Sequence, residues 1–374
     1  MADTLTSLEL RTRISAGELT LSLEPVEISP PGPDEVIVRV EAAPINPSDL
    51  GLLLGPADMS TLRAGGTADR PTLTASIPEA RMPAMRPRLD QSLAVGNEGA
   101  GTVIQAGTNV QHLIGRKVGM IGGAMYAQYR KIHAQSCIPL PEGASAADGA
   151  SMFVNPLTSL AMVETLRSEG HKALVHTAAA SNLGQMLNRI CIADGVPLVN
   201  IVRSDAQAQI LREIGAKYII DSSTPDFREK LTDAIAETGA TLAFDAIGGG
   251  RLVNTILHAM EAAINRTATE YSRYGSATWK QVYVYGMLDT GIMELDRGYG
   301  LAWGVSGFLL TPFLMKAGME TNMRLRARVA AELKTTFASH YSRTISLADV
   351  LDPAIAAEYN KKATGEKFLI DPTL

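Results

Sequence analysis

Little in this chain of 374 residues points toward a membrane, a nucleic acid or an oxidising compartment. It has two cysteines, Cys137 and Cys191, which excludes a disulfide framework and any four-cysteine zinc site. Basic charge is not in excess. There are 34 Lys and Arg against 39 Asp and Glu, and a formal net charge of -5 argues against a general electrostatic grip on nucleic acid. Residues Met1 to Glu9 carry Asp3 and Glu9 and lack the basic-then-apolar layout of a secretory leader, so the expected location is the cytoplasm. Long hydrophobic runs are missing apart from Gly298 to Met315, which contains no charged residue. That stretch is interrupted by Gly298, Gly300, Gly304, Gly307 and Pro312. It reads as a buried strand with loops rather than a span, and no membrane partner is expected.

What is present is ordinary globular composition, 46% hydrophobic and 20% charged. The length exceeds what one hydrophobic core usually fills, so two domains are expected. Residues 19 to 43 read as strands. Within them Glu35 to Ala43 alternates apolar and charged residues, with the Pro30-Pro31-Gly32-Pro33 turn just before. Further strands are expected over Gly99 to Ala106, Arg116 to Ile121 and Tyr126 to Ile132, giving a small barrel-like β domain over roughly the first 150 residues.

From Ala173 the rhythm becomes strand, helix, strand. Strands are expected at Ala173 to His176, Pro197 to Val202, Lys217 to Ile220 and Thr241 to Ala246. Helices are expected at Leu183 to Asp194, Ala206 to Ile214 and Asp226 to Glu237. Alternation of this kind implies a doubly wound parallel sheet with helices on both faces. A helix is expected over Glu320 to Ser339, and a last strand-like stretch at Lys367 to Ile370. Pro56 to Leu93 and Ala263 to Trp279 read as insertions.

The chemistry begins at the turn after Ala173 to His176, where Ala178, Ala179, Ala180, Ser181, Asn182, Leu183 and Gly184 follow one another. Small residues there let a backbone approach a pyrophosphate at a helix N-terminus. The glycine fingerprint reads here as Ala179, Ser181 and Gly184, and a plain strand-to-helix turn is the alternative. Arg203 ends the next strand 19 positions after Gly184, about where an NAD site places an acid for the ribose. An arginine suits a 2′-phosphate, so NADPH is preferred to NADH, although Asp205 lies close by. The run Phe244 to Gly250, with Ile247 and Gly248, ends a later strand at the same sheet edge. It either lies against the cofactor or is a plain turn.

Three segments resemble hallmarks of the medium-chain dehydrogenase/reductase superfamily. They are Ala42-Ala43-Pro44-Ile45-Asn46-Pro47-Ser48-Asp49, Val95-Gly96-Asn97-Glu98-Gly99-Ala100-Gly101 and Val154-Asn155-Pro156-Leu157-Thr158-Ser159. The match runs in order over nearly the whole chain and is most similar to the quinone oxidoreductase and enoyl thioester reductase branches. The resemblance implies a Rossmann domain over 154–316 and a GroES-like β-barrel-type substrate domain over 1–153 and 317–374, with the active site in the cleft between them. Asn46 and Thr158 would orient nicotinamide and substrate. Asn155, Thr158, Ala180, Ser181, Asn182, Leu183, Gly184, Arg203, Ile247, Gly248, Gly286, Met287 and Lys367 would hold NADPH. A homodimer is implied by the same analogy.

The departures matter. Asn46 lies in the region of the cysteine, and Asn97 at the place of the histidine, that zinc alcohol dehydrogenases carry, so no catalytic metal is expected; His133 and Cys137 alone do not make a site. The tyrosine that follows the first segment in relatives is missing, since the region reads Leu52-Leu53-Leu54-Gly55-Pro56-Ala57. The expected reaction is therefore hydride transfer to a quinone or similar conjugated carbonyl, which needs no protein acid. The alternatives are an enoyl thioester or enone reductase with another acid, and an NADPH-binding protein with little turnover. Tyr271, Tyr274 and Trp279 are candidates for a substrate site or an interface, and Met82 to Arg88 for a cover over the substrate.

Overall fold

The computed structural model describes residues 5–67, 70–361 and 364–374, so the first part of the leader reading, and residues 68 and 69 of the first presumed insertion, lie outside the described residues. The chain divides into two units, Met1–Val154 with Arg326–Leu374, and Asn155–Leu325.

The first unit is built around the strand Glu35–Pro44, whose Val36, Val38 and Val40 are fully buried. It pairs antiparallel with Glu98–Ala106, with Tyr129–His133 and with the C-terminal strand Phe368–Ile370. Neighbours on both edges and irregularities in its register bury more of this strand than a two-faced alternation suggests, Ile37 included. A second sheet begins with the hairpin of Leu5–Ser15 and Glu18–Ile28. The first of these strands precedes the region expected to be extended. Its hairpin turns on Ala16 and Gly17, both at positive φ (48° and 79°), and an alanine there conceals the usual turn signature.

The segment 56–93 is not a separate insertion. Its strand Arg70–Ser76 pairs with Glu18–Ile28, and Leu73 and Ala75 are buried in the unit's core.

The second unit holds six parallel strands in the order Tyr218–Asp221, Leu198–Val202, Leu174–His176, Leu242–Asp245, Lys280–Val284, Trp303–Gly307. In chain order this is 3-2-1-4-5-6, the doubly wound Rossmann arrangement, whose switch point lies between Leu174–His176 and Leu242–Asp245. The helices follow from local chemistry. Ser181 and Ser204 cap Asn182–Asp194 and Asp205–Ile214, and Gly195, Gly215 and Gly239 close three helices in the left-handed region. Side chains such as Val199, Ile201, Leu231, Ile256 and Leu257 pack between sheet and helices.

Two expectations need correction. Gly298 to Met315 is not a buried strand, because its strand Trp303–Gly307 forms the edge of the sheet and is partly exposed. Among the described residues no helix is long and apolar enough to cross a membrane. The late helix runs over Leu310–Ala331, broken at Gly318 (φ 83°), and stops before Ser339. The loop within Ala263 to Trp279 is stapled by fully buried Lys280, whose Nζ donates to Glu261 Oε2 at 2.7 Å and Ser276 Oγ at 2.9 Å.

Candidate active site

Doubly wound sheets bind ligands beyond the carboxyl ends of their strands. In the second unit, three turns there are tied together. Thr177 Oγ1 donates to Asp245 Oδ1 at 2.7 Å and accepts from the Ala246 N–H at 2.8 Å, joining the turn after His176 to the turn after Asp245. The buried Asp245 carboxylate also accepts from the N–H groups of Ile247 (3.2 Å) and Gly248 (2.8 Å). The N–H groups of Leu288 and Asp289 donate to the carbonyls of Ala246 and Ile247, which brings Gly286 and Met287 to the same edge. Met287 is 74% exposed.

The first of these turns is a tight strand-to-helix turn. Ala178 sits at φ 49°, the Ala179 N–H donates to the Ile201 carbonyl, and Ala180 is buried with its carbonyl accepting from Gln185 Nε2. Ser181 Oγ accepts from the Gly184 N–H at 3.1 Å, starting a helix of which Asn182 and Leu183 are the first residues. A Cβ on Gly184 would lie 2.2 Å from the Ala179 carbonyl oxygen, and one on Gly286 would lie 2.6 Å from that of Ala246. Both positions are close approaches between backbone segments that a side chain would prevent, and at Gly184 this lets the start of the helix pack against the turn. Arg203 is exposed at the end of Leu198–Val202. Its backbone N–H donates to Gln207 Oε1, and its guanidinium makes no ion pair among the described residues. Asp205 is instead paired with Arg212 at 3.0 Å, so it does not neutralise Arg203. These residues fit a dinucleotide with a 2′-phosphate.

Thr158 is buried within the helix Val154–Ser168 rather than at its cap, and the Asn155 carbonyl of that helix accepts from Ser159 Oγ.

Asn46 and Lys367 belong to the first unit, together with Asp49, Glu98, Ser151 and Tyr341. Asp49 joins the first two hallmark segments, because its carboxylate accepts from the Asn46 N–H at 2.8 Å and the Asn97 N–H at 2.9 Å. Asn46 Nδ2 donates to Glu98 Oε1 at 2.8 Å, while Asn46 Oδ1 is buried without a partner among the described residues. Glu98 Oε2 accepts from the N–H groups of Phe153 and Val154, both at 2.9 Å. Half-buried Lys367 donates to Ser151 Oγ at 2.7 Å, and Ser151 Oγ lies 2.8 Å from the Tyr341 hydroxyl. Asn97 Nδ2 donates to Ser48 Oγ. Among the described residues no group of three or more His, Cys, Asp or Glu side chains could hold a metal ion. Asp49 and Glu98 carry a signal in the sequence, since both stand inside the segments that resemble family hallmarks; Ser151 and Tyr341 carry none.

Burial sets the electrostatics. It raises the Asp49 carboxyl to about 7 against the opposing N–H bonds of Asn46 and Asn97. It raises Glu98 as well, opposed chiefly by the charge of Lys367, and it lowers the Lys367 ammonium to about 8, opposed by Glu98 and Asp49. Ionisable groups displaced toward neutrality mark functional sites more often than structural ones.

The signs fix a pH dependence. Lys367 has a folded value below its ordinary 10.5, so its charged form penalises the fold below about pH 8 and the penalty fades as pH rises to 10.5. Asp49 has a folded value above its ordinary 3.8, so its penalty is absent in acid and complete above about pH 7. Lys367→Met is therefore expected to be more stable than wild type at pH 7, by about 1–2 kcal/mol after discounting for solvent, with the gain vanishing near pH 10.5. Urea unfolding at the two pH values measures this. Glu98→Ala should act oppositely. It strands the donors of Asn46, Phe153 and Val154 that Glu98 accepts, at a cost of about 3 kcal/mol by the same assay.

Residues 32–142 match the alcohol dehydrogenase GroES-like domain. Prostaglandin reductase-3 of Mus musculus is 25% identical over 352 residues, covering 90% of this chain and 81% of that protein. The mitochondrial enoyl-[acyl-carrier-protein] reductase of Xenopus tropicalis is 26% identical, covering 64% of this chain and 62% of that protein. Among solved structures, a putative NADPH:quinone reductase from Mesorhizobium loti superimposes with a TM-score of 0.70 at 23% identity, covering 98% of both chains. The chain thus carries an alcohol dehydrogenase GroES-like domain and a doubly wound sheet, and it is similar over much of its length to proteins named as prostaglandin, enoyl and quinone reductases.

Proposed function

We propose that this protein is an NADPH-dependent reductase that transfers a hydride to a conjugated carbonyl acceptor, with quinones first. When bound, NADPH supplies the hydride and the protein supplies orientation and electrostatics. The 178–184 turn receives the pyrophosphate at the helix N-terminus, and Arg203 pairs with the 2′-phosphate. The observation that carries the cofactor choice is the exposed Arg203 guanidinium, free of any ion pair among the described residues, at the end of the strand bonded to that turn. In this reading Asn155, Thr158, Ile247, Gly248, Gly286 and Met287 hold the cofactor and Asn46 orients the acceptor, while Lys367, which the resemblance gives to the cofactor, is assigned instead to the acceptor.

Quinones lead because Leu52, Leu53 and Leu54 stand where relatives place a phenol, and a hydroquinone anion takes its proton from water. Reduction of an enone or enoyl thioester is the second reading. It is favoured by the kinship with an enoyl reductase and by the Lys367 ammonium beside a row of hydroxyl groups. The purified protein should oxidise NADPH with a naphthoquinone, with a simple enone and with a crotonyl thioester assayed side by side. Turnover of any of them supports the reductase reading and their order names the acceptor. NADPH binding without turnover of the panel would assign the protein a binding role instead.

A further inference from the structure

We infer that Lys367, Ser151 and Tyr341 form a proton relay that protonates the reduced acceptor, with Lys367 as the acid in place of the phenol the chain lacks. This rests on the reductase reading and extends its acceptors from quinones to α,β-unsaturated carbonyls, whose α-carbon must gain a proton.

The geometry is a continuous row. Lys367 Nζ donates to Ser151 Oγ at 2.7 Å, Ser151 Oγ and the Tyr341 hydroxyl are 2.8 Å apart, and Lys367 also stands over the Tyr341 ring at 5.6 Å. Tyr341 closes the row at its far end, where it is half-buried and its hydroxyl also hydrogen-bonds the Ser339 side chain. At the other end, the charges that face Lys367 are Glu98 and Asp49, and it forms an ion pair with neither. Glu98 is held instead by Asn46, Phe153 and Val154, and Asp49 by Asn46 and Asn97. Asp148 and Glu98 are the charges that act on Tyr341. Among the described residues the ammonium is thus left with a single hydrogen-bond partner, and the carboxylate acceptors that would otherwise compete for it are engaged by other donors.

A second observation points to a ligand at this cluster. Asn46, whose amide donates to Glu98, keeps Oδ1 buried with no partner among the described residues, so this acceptor calls for a donor that the chain does not supply. Burial that lowers the Lys367 ammonium to about 8 suits it to give up a proton near neutral pH.

The step balances. Hydride addition reduces the acceptor by two electrons and leaves an enolate or a hydroquinone anion. An N–H bond of Lys367 breaks as a C–H or O–H bond forms on that anion. The neutral amine then takes the Ser151 hydroxyl proton while Ser151 takes that of Tyr341, and water returns a proton to Tyr341. The relay itself transfers no electrons.

The test uses the full chain with four variants, Lys367→Met, Lys367→Ala, Tyr341→Phe and Ser151→Ala. Nitrogen-labelled lysine NMR, with NADP+ bound, should show one ammonium titrating near pH 8, absent in Lys367→Met. Wild-type kcat should fall as pH rises through that midpoint. Lys367→Met should lose this limb and about 100-fold or more in kcat on an enone, with ethylamine restoring part of it to Lys367→Ala. Tyr341→Phe and Ser151→Ala should keep the lysine resonance but change the solvent isotope effect on kcat. An unchanged pH profile in Lys367→Met, or a loss of NADPH affinity with kcat intact, overturns the relay and leaves Lys367 a cofactor ligand. If wild type turns over no acceptor, the reductase reading fails and the relay with it. Turnover with a flat response in all variants fails the relay alone.

Discussion

Gly184→Ala is expected to abolish dinucleotide binding and to destabilise the second unit. The added Cβ would lie 2.2 Å from the Ala179 carbonyl oxygen and 2.6 Å from its carbon, and both neighbours are backbone. A flexible side chain could yield to such a contact, but this turn is fixed on three sides. The Gly184 N–H is bound to Ser181 Oγ, the Ala179 N–H to Ile201, and the Gln185 amide to the Ala180 carbonyl. Relief requires the helix start to move, which breaks the Ser181 cap and reaims the N-terminus that would receive the pyrophosphate. Overpacking of this kind costs about 1–3 kcal/mol in stability. The affinity for NADPH should fall about 100-fold or more, as read by fluorescence titration of protein shown to be folded by circular dichroism. Unchanged affinity would remove the pyrophosphate from this turn.

Arg203→Ala should erase the preference for NADPH while leaving NADH binding intact. The guanidinium has no carboxylate partner among the described residues, and the nearest acid in sequence, Asp205, is already committed to Arg212. Charge-assisted hydrogen bonds to a phosphate contribute about 1.5–3 kcal/mol, so the ratio of the two dissociation constants should change by at least about tenfold. A lysine at this position should recover only part of the ratio, because it offers a point charge without the planar fork. If Arg203→Ala weakens both nucleotides equally, the residue acts on the fold of the turn and not on the 2′-phosphate.

Much of the architecture was legible in the residues because it rests on local rules. Strand and helix alternation after Ala173, serine caps at Ser181 and Ser204, and glycines after three helices are short-range signals, and the parallel sheet follows from them. The elements misjudged depend on distant partners. The strand Leu5–Ser15 announces itself by pairing over its whole length with Glu18–Ile28, and 56–93 becomes part of a sheet only through Arg70–Ser76. Trp303–Gly307 looks like core by composition, yet its place at the sheet edge is a matter of strand order. The site divides in the same way. Asn46 and the 178–184 turn stand in contiguous motifs. The cluster around Glu98 and Lys367 draws on residues from 46 to 367, with Ser151 and Tyr341 190 positions apart, and no local pattern marks that meeting.

The reductase reading rests on an NADPH site in the second unit. Fluorescence titration of the wild-type protein with NADPH and with NADH tests it most directly. A saturable response with NADPH bound at least about ten times more tightly, about 1.4 kcal/mol, is the expected result. Failure of both nucleotides to bind folded protein would contradict the cofactor assignment and the reductase reading built on it.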